Sequence, residues 1–266
     1  RVAFLDGTAP HATETKFPGA KDEIIDLGKN WNSKILQAMC DKIIPLAEEK
    51  KNAYSTAYSY LGLAGKCEKI TEMAFAGVYD RNKSRKEALS LANKITENRK
   101  SKKKIRLLSA FCKHGKYKPD NIDPKADKKI GVSGGKITSR LFLTDLKDAF
   151  DIIGTDYMLF PSPLSPTYPE ALYLIDEKIF LSCSENEDTV IESEKFCQDD
   201  LTIIHERSRT AQNINEFALD EAKRWFGIAS DLHFRLEEIY STAMDFSKND
   251  VIFNEIMCEC KEILKL

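Results

Sequence analysis

Between Cys197 and Ala243 small and apolar residues recur in steps of four and three. They are Cys197, Leu201, Ile204, Ser208, Ala211, Asn215, Ala218, Ala222, Trp225, Ala229, Leu232, Leu236, Ile239 and Ala243. This is the seam of a long helix packed lengthwise on other helices. No proline follows Pro169, and Gly227 is the only glycine in the stretch. Unbroken, such a helix would be about 70 Å long at ~1.5 Å per residue, more than a compact domain of this size needs. A break fits at Asn213, where Asn213 and Glu216 have the spacing of a capping box. The small residues Ser208, Ala211, Ala218 and Ala222 predict close approach of a second helix at mid-length. Packing within the chain is the expectation, and a self-associated coiled coil is its competitor.

The rest of the chain supplies partners for that seam. Residues 1–20 have no helical period and read as an extended arm. Ile24, Leu27, Trp31, Ile35, Met39, Ile43 and Leu46 mark a first helix, which Pro45 should kink or end. The polar run from Glu48 to Asn52 reads as a turn into a second helix through Ala57, Leu61, Ala64, Cys67, Thr71, Ala74 and Val78. A short connection implies an antiparallel pair. A third stripe runs from Ala88 to Ile95 and resumes at Ile105, Leu108 and Cys112. Its helical phase carries across the polar Thr96 to Lys104 run, so a continuous helix fits as well as a broken one. Pro119, Pro124, Gly131, Gly134 and Gly135 then mark a long basic loop over 116–136. Periodicity returns from Ile137 to Ile153, followed by a proline-punctuated connector over 160–169. Residues 171–175 and 179–183, separated by Asp176-Glu177-Lys178, fit a small β-hairpin, and a last helix covers 251–264. The expected fold is mainly α: a multi-helix bundle around the long C-terminal helix, with an irregular Pro/Gly-rich middle and one small β-hairpin. It forms a single domain over 1–266, with sub-lobes at 20–115 and 137–266 joined by the loop 116–136.

Charge is segregated along the chain. A net charge of −2 over 266 residues hides 18 basic against five acidic residues from Arg81 to Lys136, and 11 acidic against two basic from Glu170 to Glu206. Either the two segments dock on each other or a basic face meets an external polyanion. The densest positive field is Arg99, Lys100, Lys102, Lys103, Lys104 and Arg106, the candidate polyanion site, followed by Lys113, Lys116 and Lys118. A solvated face is the competing reading. Only Phe111 and Tyr117 are near enough to stack on bases, so single-strand readout is not indicated. No run of 18 apolar residues suits a membrane span.

Seven cysteines allow three pairs and one free thiol. Cys40 and Cys67 reflect about the polar turn of the predicted hairpin and become candidates to face each other. Such a bridge would be worth about 3–4 kcal/mol in the chain-entropy picture. Cys183 and Cys197 flank the acidic segment and form a second candidate pair. Cys112 is left to close on Cys258 or Cys260. Disulfides point to an oxidising compartment. So do the start at Arg1, which fits a trimmed leader, and the sequon Asn82-Lys83-Ser84, which supports secretion weakly.

Signatures of catalysis are missing. His205-Glu206 begins like a zinc-protease motif, but Arg209 stands where the second histidine is needed. Gly135-Lys136 resembles the end of a phosphate-binding loop, yet Ile130 replaces the first glycine and Ile137 the hydroxyl residue. Cys258 and Cys260 lack a second thiol pair at zinc-finger spacing. The reading is a chain without catalytic residues, metal or cofactor. Trp31 and Trp225 fall on apolar stripes and read as core, while Tyr54, Tyr58 and Tyr60 either line a pocket or cap a bundle.

A lysine-rich helical chain with Lys102 to Lys104, helix-borne Cys40 and Cys67, few histidines and a helical C-terminal half resembles secreted salivary proteins of blood-feeding insects. Among these it is most similar to the thirty-four-kilodalton salivary family of culicine mosquitoes. The resemblance implies a secreted, non-enzymatic protein acting on host or mouthpart surfaces. The basic stretch adds the expectation of a host or extracellular protein or a sulfated glycan as partner, and the further amphipathic segments favour a monomer. The alternative is an intracellular nucleic-acid-binding or scaffold protein using the basic stretch and the long helix.

Overall fold

The computed structural model describes residues 2–7, 14–96, 102–187, 189–198 and 201–265. After a 3-10 turn at Leu27–Asn30 come helices α1 (Ser33–Ala38), α2 (Cys40–Ala74) and α3 (Arg81–Ile95). Strands β1 (Lys103–Ile105), β2 (Ala110–Cys112), β3 (Gly115–Tyr117) and β4 (Lys128–Ser133) follow. Helix α4 (Lys136–Ile153) leads to β5 (Tyr157–Pro161), β6 (Pro169–Leu174), β7 (Ile179–Ser182) and β8 (Thr189–Glu192). Helices α5 (Leu201–Ala243) and α6 (Phe246–Leu264) close the order. The chain divides into a larger unit, residues 51–230, and a smaller one made of residues 1–50 and 231–266.

The larger unit is built on a six-stranded sheet in the order β1-β5-β6-β7-β4-β8. β6 is antiparallel to both its neighbours, and every other adjacent pair is parallel. Five strands therefore run the same way and end along one edge. Strand β6 shows how the sheet is held. Leu172 and Leu174 join the main core with Leu143, Leu146 and Phe150 of α4, while Ala171 and Tyr173 join a second cluster with Phe160 and Phe180. Side chains alternate between faces at a period of two, so both faces of the sheet are covered. Helix α3 adds Ala88 and Ala92 to the main core, both fully buried. Between α3 and α4 the buried Asp145 is paired with Arg81 at 2.8 Å and accepts from Ser84 Oγ at 2.5 Å. The serine of the sequon is thus part of the interior.

In the larger unit α2 and α5 run antiparallel. Tyr54 and Tyr58 pack on Phe226, Tyr60 packs on Phe217, and Asn215 Nδ2 donates to the Ala64 carbonyl at 2.8 Å. Ser208, Ala211, Ala218 and Ala222 are all buried, as close helix approach requires. In the smaller unit Trp31 packs on Tyr240 at 5.2 Å, and Asn32 donates its N–H to the Ala243 carbonyl at 2.7 Å. Helix α6 there has no fully buried residue.

The expected helical bundle is therefore wrong: 57% of the chain is helical, but a mixed sheet organises it as an α/β fold. The β-hairpin exists as β6 and β7, in the interior of that sheet rather than alone. The segment 116–136 contains β4, whose Ile130, Gly131 and Val132 are buried between parallel neighbours. The third helix ends at Ile95, and Lys103–Ile105 is a strand. Helix α5 passes through Asn213 without a break. Helix α2 is likewise continuous through the Glu48 to Asn52 run and through Pro45, which costs it one ladder bond.

That continuity removes the first disulfide. Cys40 and Cys67 lie about seven turns apart on one helix, with no hairpin between them. All seven cysteines, including Cys112, Cys183, Cys197 and Cys258, are free thiols. No described helix is long and apolar enough to cross a membrane.

Candidate functional site

In sheets of mainly parallel strands ligands gather outside the carboxyl ends of the strands, where backbone groups and loops are free to face them. At that edge this chain has a cleft of about 290 Å³. Lys136 enters it from the start of α4, immediately after β4. Ser162, Pro163 and Leu164 come from the loop after β5. His114 and Lys116 come from the β2–β3 hairpin with Phe111, and Leu219, Asp220 and Lys223 come from α5.

Glu68 of α2 also lines the cleft and anchors its charge. Its carboxylate is paired with Lys136, accepts from Arg140 at 2.6 Å and lies 3.3 Å from Ser165 Oγ. Burial alone would push Glu68 up. The contacts with Lys136 and Arg140 outweigh that and hold it below the ordinary carboxylate range. Arg140 is 5% exposed, stacks on the Tyr168 ring at 4.7 Å, and leaves Nη2 without a hydrogen-bond partner among the described residues. Lys116 is held by Glu170 at 2.5 Å, whereas Lys223 forms no ion pair among the described residues. The cleft lining thus carries three lysines and a histidine against two carboxylates, one of them already neutralised.

Two close approaches shape the walls. Gly65 of α2 sits beneath the loop after β5; a Cβ there would come 2.8 Å from the Leu164 carbonyl oxygen. Tyr168 is pinned on the same helix by a hydrogen bond from Lys69 Nζ at 2.8 Å.

The Gly135-Lys136 pair does fall between a strand and a helix, the setting of a phosphate-binding loop. The turn itself consists of Gly134 and Gly135 alone, too short to wrap a phosphate. Gly134 has φ +112°, and a side chain there would run into Ser193. The helix start is also taken: Glu194 Oε1 accepts from the Gly135 N–H at 2.8 Å. A carboxylate of the chain itself satisfies the positive end of α4. Lys136 instead turns to Glu68 and the cleft.

The predicted polyanion residues lie elsewhere. Arg99 and Lys100 are outside the described residues. Lys102, Lys103, Lys104 and Arg106 are exposed on and beside the edge strand β1. Lys103 is bound to Asp151 at 2.6 Å and lies over the Tyr157 ring. Sequence reasoning missed Glu68, Arg140 and Lys223, which sit on helical stripes otherwise read as packing; Lys136 was visible only as part of a failed motif. Among the described residues no group of three or more His, Cys, Asp or Glu side chains is placed to hold a metal ion. Compared with known proteins, the chain matches no family model, no curated protein and no solved structure.

Proposed function

We propose that this chain is a non-enzymatic binding protein whose α/β unit takes a small organic anion in the cleft at the carboxyl edge of its sheet. The observation that carries the reading is convergence. Lys116, Lys136, Lys223 and His114 reach one cleft from three separate parts of the fold, and Phe111, Pro163, Leu164 and Leu219 add apolar surface to its lining. An acidic head group would lie among the lysines, with Lys223 the cation most available to it. An apolar body would cover Phe111 and Leu219. Ligand pockets of about this size, mostly apolar with a few placed charges, are the usual form of small-molecule sites. Secretion and a host or extracellular partner are no part of this proposal, which rests on the cleft alone.

The test is a thermal-shift series with phenyl phosphate, inorganic phosphate and benzyl alcohol at low salt. Phenyl phosphate should raise the melting temperature most, and Lys223→Glu should abolish the rise. Equal shifts in the wild type and Lys223→Glu would overturn the assignment to this cleft.

A further inference from the structure

The strands at the two ends of the sheet are oppositely charged. β1 at one end is flanked by Lys102, Lys104 and Arg106, all exposed and without an ion pair among the described residues. β8 at the other end lies among Glu185, Glu187 and Glu192, which also form no ion pair among the described residues. Five strand spacings separate these edges, about 24 Å at ~4.8 Å each. The Debye length at physiological ionic strength is about 8 Å, so the two fields barely neutralise each other within one sheet. The basic and acidic segments meet at the Lys116–Glu170 ion pair, but not between these two edge strands.

Ile105 on β1 is 73% exposed and Val190 on β8 is 42% exposed, and among the described residues neither strand has a partner on its outer side. A row of unpaired backbone N–H and C=O groups is a template for another strand. The charges choose which one. Two β1 edges repel each other, and so do two β8 edges, whereas β1 of one copy against β8 of another is attractive. The strand directions agree as well, because β1 and β8 run the same way across the sheet. A neighbouring β1 laid beside β8 extends the sheet in parallel with its polarity unbroken.

We infer that copies of this chain associate head to tail, β1 of one against β8 of the next. With three and four residues in the two strands the contact is short, so association is weak and driven by charge. It is also heterologous, and a heterologous contact that does not close grows by addition. This surface is separate from the cleft and does not depend on its ligand.

Sedimentation velocity of the full chain over a concentration series tests it. At low salt the weight-average mass should climb with concentration without settling at a dimer, and it should return to that of the monomer at about 0.5 M salt, where the screening length is only a few ångströms. Reversing the basic edge (Lys102→Glu, Lys104→Glu, Arg106→Glu) or the acidic edge (Glu185→Lys, Glu187→Lys, Glu192→Lys) should weaken self-association about a hundredfold. Mixing the two variants should restore it, because each then offers the edge charge the other needs. A monomer mass at every concentration and salt would overturn the inference, even if the chain bound heparin through β1. So would association that survives high salt or either reversal. The wild-type salt dependence decides the matter alone if a variant does not fold.

Discussion

Arg140 of α4 and Glu68 of α2 meet at 2.6 Å, each side chain only 5% exposed. The pair ties the helix that covers the sheet to the helix that runs alongside α5, at the wall of the cleft. The two partners are not equally dependent. Glu68 also has Lys136, which is 65% exposed, while among the described residues Arg140 has no second carboxylate and one nitrogen already unpartnered.

Removing the acid should therefore cost more than removing the base. Glu68→Ala strands a buried guanidinium, and breaking a buried pair this way costs about 3–5 kcal/mol. Arg140→Ala leaves Glu68 with Lys136 and should cost about 1–3 kcal/mol. Urea unfolding of both variants checks the order, and equal losses would contradict the asymmetry.

Stability against pH carries two opposing signs. Glu68 is held below its ordinary 4.5, so its contribution is present above that value and is lost as pH falls through the lowered one. Asp145 is raised above 3.8, because burial outweighs the Ser84 hydrogen bond and the Arg81 and Arg85 charges. Its ionisation in the folded state therefore opposes folding, and acidification from its raised value toward 3.8 relieves that penalty. Glu68→Gln should flatten the loss of stability below pH 4.5, and Asp145→Asn should steepen the fall over the range just above 3.8. Denaturant midpoints from pH 3 to 6 would show it, and identical profiles in all three proteins would contradict both assignments.

Two glycines on α2 should respond oppositely to the same change. Gly62→Ala meets nothing within 4 Å and should stabilise by up to about 1 kcal/mol, the ordinary gain in a helix interior. Gly65→Ala places its methyl against the Leu164 carbonyl oxygen, so the loop after β5 must lift. A loss of about 1–3 kcal/mol is expected there. Melting curves of the two variants settle the comparison, and stabilisation by both would mean that the loop does not lie on Gly65.

Thiol chemistry gives a fourth check. With seven free cysteines, alkylation of the denatured, unreduced protein should label all seven. Mass spectrometry showing fewer would contradict the free thiols and point to disulfide pairs.

How much of this was legible in sequence depended on the length scale of each element. The α5 seam was readable from end to end because one face of a 43-residue helix repeats many times. Helix α4 was visible from Ile137 to Ile153 for the same reason, and β6 and β7 announced themselves by a short turn between apolar runs. The sheet itself was not. β4 offers only Ile130, Gly131 and Val132 to the core, among lysines and glycines that read as a loop. β1 is three residues with two lysines, and its pairing with β5 spans some fifty positions. The Glu48 to Asn52 run misled because a polar stretch on the exposed side of a long helix looks like a turn. Cleft residues such as Glu68 and Lys223 carried no signal, since their meaning comes from convergence across distant parts of the chain.

The most direct measurement is a titration of phenyl phosphate into isotope-labelled protein, followed by amide NMR shifts. Saturable shifts confined to residues 114–116, 136, 162–164 and 219–223, and lost in Lys223→Glu, are the predicted result. No saturable shift, or shifts concentrated at Lys102 to Arg106, would contradict the cleft as the binding site.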